Sequence, residues 1–122
     1  MAQNTSKALR NKVIYSVYVR NHGKTGKFND VLEDLPRIKK LGVDIIWFMP
    51  IHPIGQVNKK GIGCPYSIQD YTKVNPEYGT MEEFKELIDA IHDMGIQVMI
   101  DVVYNHTSHD AVYVKEHPEY YF

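Results

Sequence analysis

The chain has 122 residues, 43% of them apolar, and a formal net charge of −1. These values fit one small soluble domain; no basic stripe points to a nucleic-acid partner, and the longest apolar run, residues 45–49, is far too short to cross a bilayer. The single cysteine, Cys64, excludes an internal disulfide and fits a reducing compartment, and residues 1–11 hold no apolar leader core, so no membrane partner and a cytoplasmic location are expected.

Residues 1–12 read as a polar tail and residues 13–19, rich in β-branched and aromatic side chains, as a first strand. Residues 21–26 read as a loop. Val31, Leu35, Ile38 and Leu41 then recur at helical spacing. Pro36 lacks an N–H and clashes with the preceding turn, so this helix is expected to start near Asp34 or to kink there, with Gly42 ending it. Residues 44–49, nearly all apolar, read as a second strand of the kind a parallel sheet covered on both faces demands. Residues 50–79 read as a long functional loop. Thr80 and Glu83 form a capping box, Phe84, Leu87, Ile88 and Ile91 an apolar stripe, and Gly95 a stop before a third strand over residues 96–103. The order is β-α-β-loop-α-β, with helix end, glycine and apolar strand recurring after about fifty residues, as repeated βα units do. An open doubly wound sheet and a barrel both fit, and no glycine-rich nucleotide motif is present.

In parallel α/β architectures ligands bind at the carboxyl ends of the strands. The candidates are Arg20, Asn21 and His22 after the first strand, His52, Tyr66, Asp70 and Tyr71 after the second, and Asn105, His106, Thr107, His109 and Asp110 after the third. Alternation would point Asp101, Val103 and Asn105 one way, Val102 and Tyr104 the other. Asp101 in an apolar strand needs a partner or a wet site; the plain alternative to a site role is pairing with a structural Arg. Asn105 offers a carbonyl oxygen of the kind calcium takes, yet one oxygen makes no site, and a turn-forming Asn is equally good. His106 and His109, with Asp101 or Asp110, give a weak zinc signal. Tyr66, behind Pro65, is either a flat platform for a sugar ring or a packing residue of the loop. Trp47 is expected in the core. Cys64 with His52 or His106 as base lacks any surrounding signature of a thiol nucleophile.

Taken together, three runs carry a resemblance. They are residues 41–51 around Gly42-Val43-Asp44, residues 65–80 from Pro65-Tyr66 to Gly79-Thr80, and Asp101-Val102-Val103-Tyr104-Asn105-His106-Thr107, which matches the signature D-x-V-x-N-H. In this order they resemble the start of the catalytic domain of the α-amylase family, glycoside hydrolase family 13, over about residues 12–122. The resemblance implies retaining hydrolysis or transfer on α-glucans or α-glucosides. It implies that His106 hydrogen-bonds the sugar beside the cleaved bond, that Tyr66 stacks on it, that Asp101 and Asp70 are structural carboxylates of the active site, and that Asn105 stands where many members bind calcium. Cys64 departs from the His that many members carry two residues before the stacking Tyr.

The family's catalytic Asp, Glu and Asp follow strands four, five and seven, and have no counterpart here; a retaining mechanism needs two carboxyl groups about 5–5.5 Å apart. A complete barrel takes about 250 residues. The expectation is therefore an α/β chain forming the first β-α-β-α-β portion of an incomplete (β/α)₈ barrel, residues 13–122, ending near the start of an inserted second domain. Alone it is expected to be inactive and to self-associate through unpaired strand edges. The alternatives are a non-catalytic carbohydrate-binding piece and a metal-dependent barrel hydrolase using His106 and His109.

Overall fold

A computed structural model describes residues 6–122; the first five residues of the expected tail lie outside them. The rest of that tail holds a 3-10 turn, Lys7–Leu9, whose Ala8 N–H donates to the Ser6 hydroxyl. Then follow β1 (Ile14–Val17), α1 (Val19–His22), α2 (Phe28–Lys40), β2 (Ile45–Phe48), α3 (Met81–Asp93), β3 (Gln97–Ile100) and α4 (Val112–Glu116), with a last 3-10 turn at Pro118–Tyr120. The strands are parallel in the order β1-β2-β3, with Ile14, Ile45 and Gln97 in register.

The helix expected to start near Asp34 begins at Phe28 and carries Pro36 inside it. Its buried stripe is Phe28, Val31, Leu35 and Ile38, one turn longer than the spacing from Val31 suggests. Each such burial contributes about 1.5–3 kcal/mol, whereas an interior proline costs about 3 kcal/mol. The stripe therefore wins. From outside the helix, the Tyr78 carbonyl accepts the Phe28 N–H at 2.9 Å, and Asp30 accepts the N–H groups of Thr25 and Gly26. Leu41, read as part of the stripe, is the C-cap and is exposed. Gly42 and Gly95 adopt the left-handed conformation expected of them, with φ of 77° and 73°. The capping box forms in full: Glu83 N–H donates to the Thr80 hydroxyl at 3.1 Å, and Thr80 N–H to the Glu83 carboxylate at 2.7 Å.

Each strand is shorter than the apolar run that announces it. Residues 18 and 19 leave β1, because Val19 opens α1, which replaces part of the expected loop. At the third strand the Asp101 N–H still donates to the Phe48 carbonyl at 2.9 Å; beyond it the chain departs from the ladder.

Helices α2 and α3 pack on each other and on one face of the sheet. Val17, Ile46 and Phe48 point into that core, with Leu87, Ile91 and Tyr78. The opposite face carries Ile14, Ser16, Trp47 and Met99, and these line an open hollow of about 500 Å³ with Asp101 at its end. Trp47, expected in the core, is half-buried on the face opposite the helices, where pleat alternation puts it. Consecutive strand order with both crossover helices on one face suits a barrel, and equally one half of a doubly wound sheet.

The long loop after β2 is more ordered than a connection. Ile54 and Ile68 form an antiparallel bridge. The Gly55 N–H donates to the Ser67 carbonyl at 2.9 Å, and the Gln69 N–H to the Pro53 carbonyl at 2.8 Å. On the far side, Ser108 N–H donates to the Ile68 carbonyl and Val112 N–H to that of Gln69. The stretch around Tyr66 is thus held between the start of its own loop and the segment that follows β3.

Candidate functional site

The strand ends meet at Asp101. This residue lies one step past β3 and is half-buried, and its Oδ2 accepts the Tyr66 hydroxyl at 2.9 Å. Its partner is a phenol and not the structural Arg weighed as the alternative. The carboxylate raises the Tyr66 pKa, with burial adding to the effect, because ionising the phenol would set two negative groups together. Tyr66 is therefore fixed as a neutral donor whose ring is part-exposed.

The other carboxylates at this end are held by loop backbone. Asp70 is buried; its Oδ1 accepts from the Thr72 N–H at 2.8 Å and the Thr72 hydroxyl at 2.7 Å, and Lys73 stands 3.4 Å from Oδ2. Burial pushes its pKa up, but Thr72 and Lys73 outweigh that and hold it below the ordinary carboxylate range. Asp110 accepts from Gln56 N–H at 2.9 Å and from the Gln69 side chain at 3.1 Å. Burial again opposes its charge, and the Gln56 and Val57 N–H groups again keep its pKa low. A general acid needs a raised pKa, so neither Asp70 nor Asp110 is suited to that part.

Asn105 and His106 are exposed and sit elsewhere. They line a second, larger groove of about 900 Å³ with Tyr71, Tyr113 and Tyr121. The structure thus brings Tyr66 and Asp101 together, while His106 and Asn105 border a groove whose walls include neither. Among the described residues no group of three or more His, Cys, Asp or Glu side chains is placed to hold a metal ion. Asn105 contributes one oxygen without a carboxylate cluster around it, and His106 and His109 gain no third ligand. His52 is buried, with Nδ1 2.9 Å from the Lys73 carbonyl and its ring against Tyr71 at 5.4 Å. It therefore supports the loop, while Cys64 is exposed.

The contacts of two residues escaped sequence reasoning. The Tyr71 hydroxyl donates to the Val103 carbonyl, tying the loop to the stretch that leads to His106. Arg20 reaches from α1 to the Gly63 carbonyl and to Glu77. Both residues stood among the polar positions at strand ends, but no local spacing joins them to partners 32 and 43 residues away.

The family model for the α-amylase catalytic domain matches residues 9–120. The crystal structure of an α-amylase from Lactobacillus plantarum is 56% identical and superposes with a TM-score of 0.91, over 93% of this chain and 27% of that one. An α-1,4-glucan:maltose-1-phosphate maltosyltransferase of Cereibacter sphaeroides is 36% identical over 79% of this chain and 18% of its own length. An α-glucosidase of Pediococcus pentosaceus is 35% identical over 95% of this chain and 20% of its own. The chain thus spans about a fifth of the length of these curated relatives. The choice left open by topology falls to the barrel, since the structural neighbours are (β/α)₈ amylases. The chain belongs to the α-amylase catalytic-domain family, of whose barrel it forms an incomplete, three-stranded part.

Proposed function

We propose that this chain forms one wall of the sugar-binding cleft in a retaining α-glucan or α-glucoside hydrolase or transferase. The observation that carries the reading is the Tyr66–Asp101 pair at 2.9 Å, standing where parallel strands end. A part-exposed phenol ring, locked through its hydroxyl, gives a sugar a flat apolar surface of fixed orientation. His106, exposed and unhindered on the neighbouring groove, supplies a hydrogen bond to a sugar hydroxyl.

The bond-breaking carboxylates belong to parts of the protein outside this chain. Asp70 and Asp110, both stabilised as anions by backbone N–H groups, shape the loop and do not act as the acid. The chain by itself therefore binds sugar weakly and turns nothing over. Asn105 would supply at most one oxygen to a calcium ion completed by other segments, and no step depends on it. The relatives include hydrolases and a transferase, so the proposal extends to the α-glucosidic bond and not to the acceptor.

The test is a panel of α-linked glucosides, maltooligosaccharides and glycosyl phosphates incubated with the full-length protein, with anomeric configuration followed by NMR. Turnover with retention is expected. Absence of turnover on every α-linked substrate would refute the reading, as would an inverted product.

A further inference from the structure

One arginine outside the sugar-binding pair grips the loop that carries Tyr66. Arg20 lies in α1, just past β1, with its side chain only 14% exposed. Its Nη1 donates to the Gly63 carbonyl at 3.3 Å and to the Tyr18 hydroxyl at 3.2 Å, and its Nη2 donates to Glu77 Oε2 at 3.0 Å. Burial opposes the charge, but Glu77, with Tyr78 and Tyr18, outweighs it and holds the guanidinium pKa above its ordinary value. A planar fork can serve three acceptors in this way; an ammonium on a flexible stem cannot hold the same geometry.

The grip falls close to Tyr66. Gly63 has a φ of 81°, and a Cβ there would stand 2.9 Å from the Ile54 side chain, so only glycine fits there, and the hydrogen bond from Arg20 is what holds its carbonyl. One tight turn follows, in which Ser67 N–H donates to the Cys64 carbonyl at 3.0 Å. Tyr66 sits inside that turn. Past it, the Ile54–Ile68 bridge anchors the chain again. The segment bearing Tyr66 is thus pinned at both ends, by the bridge on one side and by Arg20 on the other.

We infer that Arg20 is a positioning residue: by holding the Gly63 carbonyl it fixes the turn at 64–67, and with it the Tyr66 ring and the hydroxyl that meets Asp101. The consequence for turnover rests on the sugar-binding role proposed for Tyr66; the consequence for Tyr66 itself does not.

The experiment uses the full-length protein with Arg20→Gln, Arg20→Lys, Tyr66→Ala and the Arg20→Gln/Tyr66→Ala pair. The first readout is independent of activity: titration of the Tyr66 phenol by NMR on protein labelled at the tyrosine ring. Asp101 raises this pKa above the ordinary 10.0, and Arg20→Gln is expected to return it towards that value, with Arg20→Lys between. A Tyr66 titration unchanged in both Arg20 variants overturns the inference. The second readout is a double-mutant cycle in kcat/KM. Arg20→Gln is expected to lose about tenfold in the wild-type background and less than about twofold in the Tyr66→Ala background, the non-additivity of residues acting through one another. Equal losses in the two backgrounds mean that Arg20 only supports the fold, and overturn it too. If Arg20→Gln does not fold, Arg20→Lys carries both readouts. If the wild type turns over no α-glucoside, the functional proposal fails and the titration alone decides the case of Arg20.

Discussion

Replacing Tyr66 in two ways separates the work of its hydroxyl from that of its ring. Tyr66→Phe removes only the donor to Asp101 at 2.9 Å. A hydrogen bond to a charged group contributes about 1.5–3 kcal/mol when well buried. Both partners here are half-open to solvent, so screening brings the figure to about 1 kcal/mol. That corresponds to a loss of about fivefold in kcat/KM. Tyr66→Ala removes the ring as well, and an aromatic contact adds roughly 0.5–1.5 kcal/mol beyond its area. The total of about 2 kcal/mol predicts roughly a thirtyfold loss. The assay is steady-state turnover of a maltooligosaccharide by the full-length protein, with thermal unfolding as a control for fold. Two results would refute the reasoning. Wild-type kinetics in Tyr66→Ala would return the residue to loop packing. A Tyr66→Phe variant as damaged as Tyr66→Ala would leave the ring no part in binding.

His106→Ala should lower kcat/KM by about one to two orders of magnitude, as loss of a sugar hydrogen bond at a reacting centre does; because His106 is exposed, the unfolding midpoint should move little, and a large shift in it would assign His106 to the fold. Asp70 predicts a pH dependence. Its pKa is lower folded than unfolded, so its stabilising effect is complete above the ordinary value of 3.8 and disappears as pH falls below that through the folded value. Denaturant titrations should show wild-type stability falling in that acid window and a flatter profile for Asp70→Asn; parallel profiles would contradict the assignment. Tyr71→Phe leaves the Val103 carbonyl without its donor, at a cost of about 1–2 kcal/mol, and amide exchange should quicken over residues 103–106. Unchanged exchange there would dismiss the tether. Finally, the 122-residue chain alone should sediment as associated species, because the face bearing Ile14, Trp47 and Met99 lies open; a single sharp monomer boundary at high concentration would count against this.

What the sequence made legible is what short spacing encodes. The capping box of Thr80 and Glu83 spans one helical turn and formed as read. The glycines closing α2 and α3 are likewise local. Helix α2 shows the limit: the cost of Pro36 is visible within its own turn, but the gain from burying Phe28 depends on Tyr78 and Phe84, about fifty residues on, which meet its ring edge-on at 6.0 Å and tilted at 5.1 Å. Residues 45–48 are apolar throughout, so their pattern does not separate the two faces of β2, and only the placement of α2 and α3 decides that Ile46 and Phe48 are covered. At the site, Asp101, Tyr66 and His106 were visible through their resemblance to family motifs and their place after strands. That a phenol and a carboxylate 35 residues apart would meet, or that Arg20 would reach Gly63, is set by the path of the loop. No periodicity carries that path.

The path of that loop also bears on the proposal that one wall of a sugar-binding cleft is formed by so little of a barrel. Side-chain links join it to the strand ends or their continuations, among them Arg20 to Gly63 and Glu77, Tyr66 to Asp101, Tyr71 to Val103, and Asp110 to Gln56. Two of these run to backbone carbonyls and one to a backbone N–H, so they constrain the chain itself and not merely side-chain rotamers. A loop free to move would add an ordering cost of about 0.5–1.5 kcal/mol for each side chain it had to immobilise on sugar. In the proposed sugar-binding role that cost would fall on folding and not on binding. The reasoning implies that loosening any one link should weaken sugar binding even where the linked residue touches no sugar. Tyr71→Phe, with its ring intact, is the sharpest case: its binding defect and its faster exchange should appear together, and one without the other would break the connection.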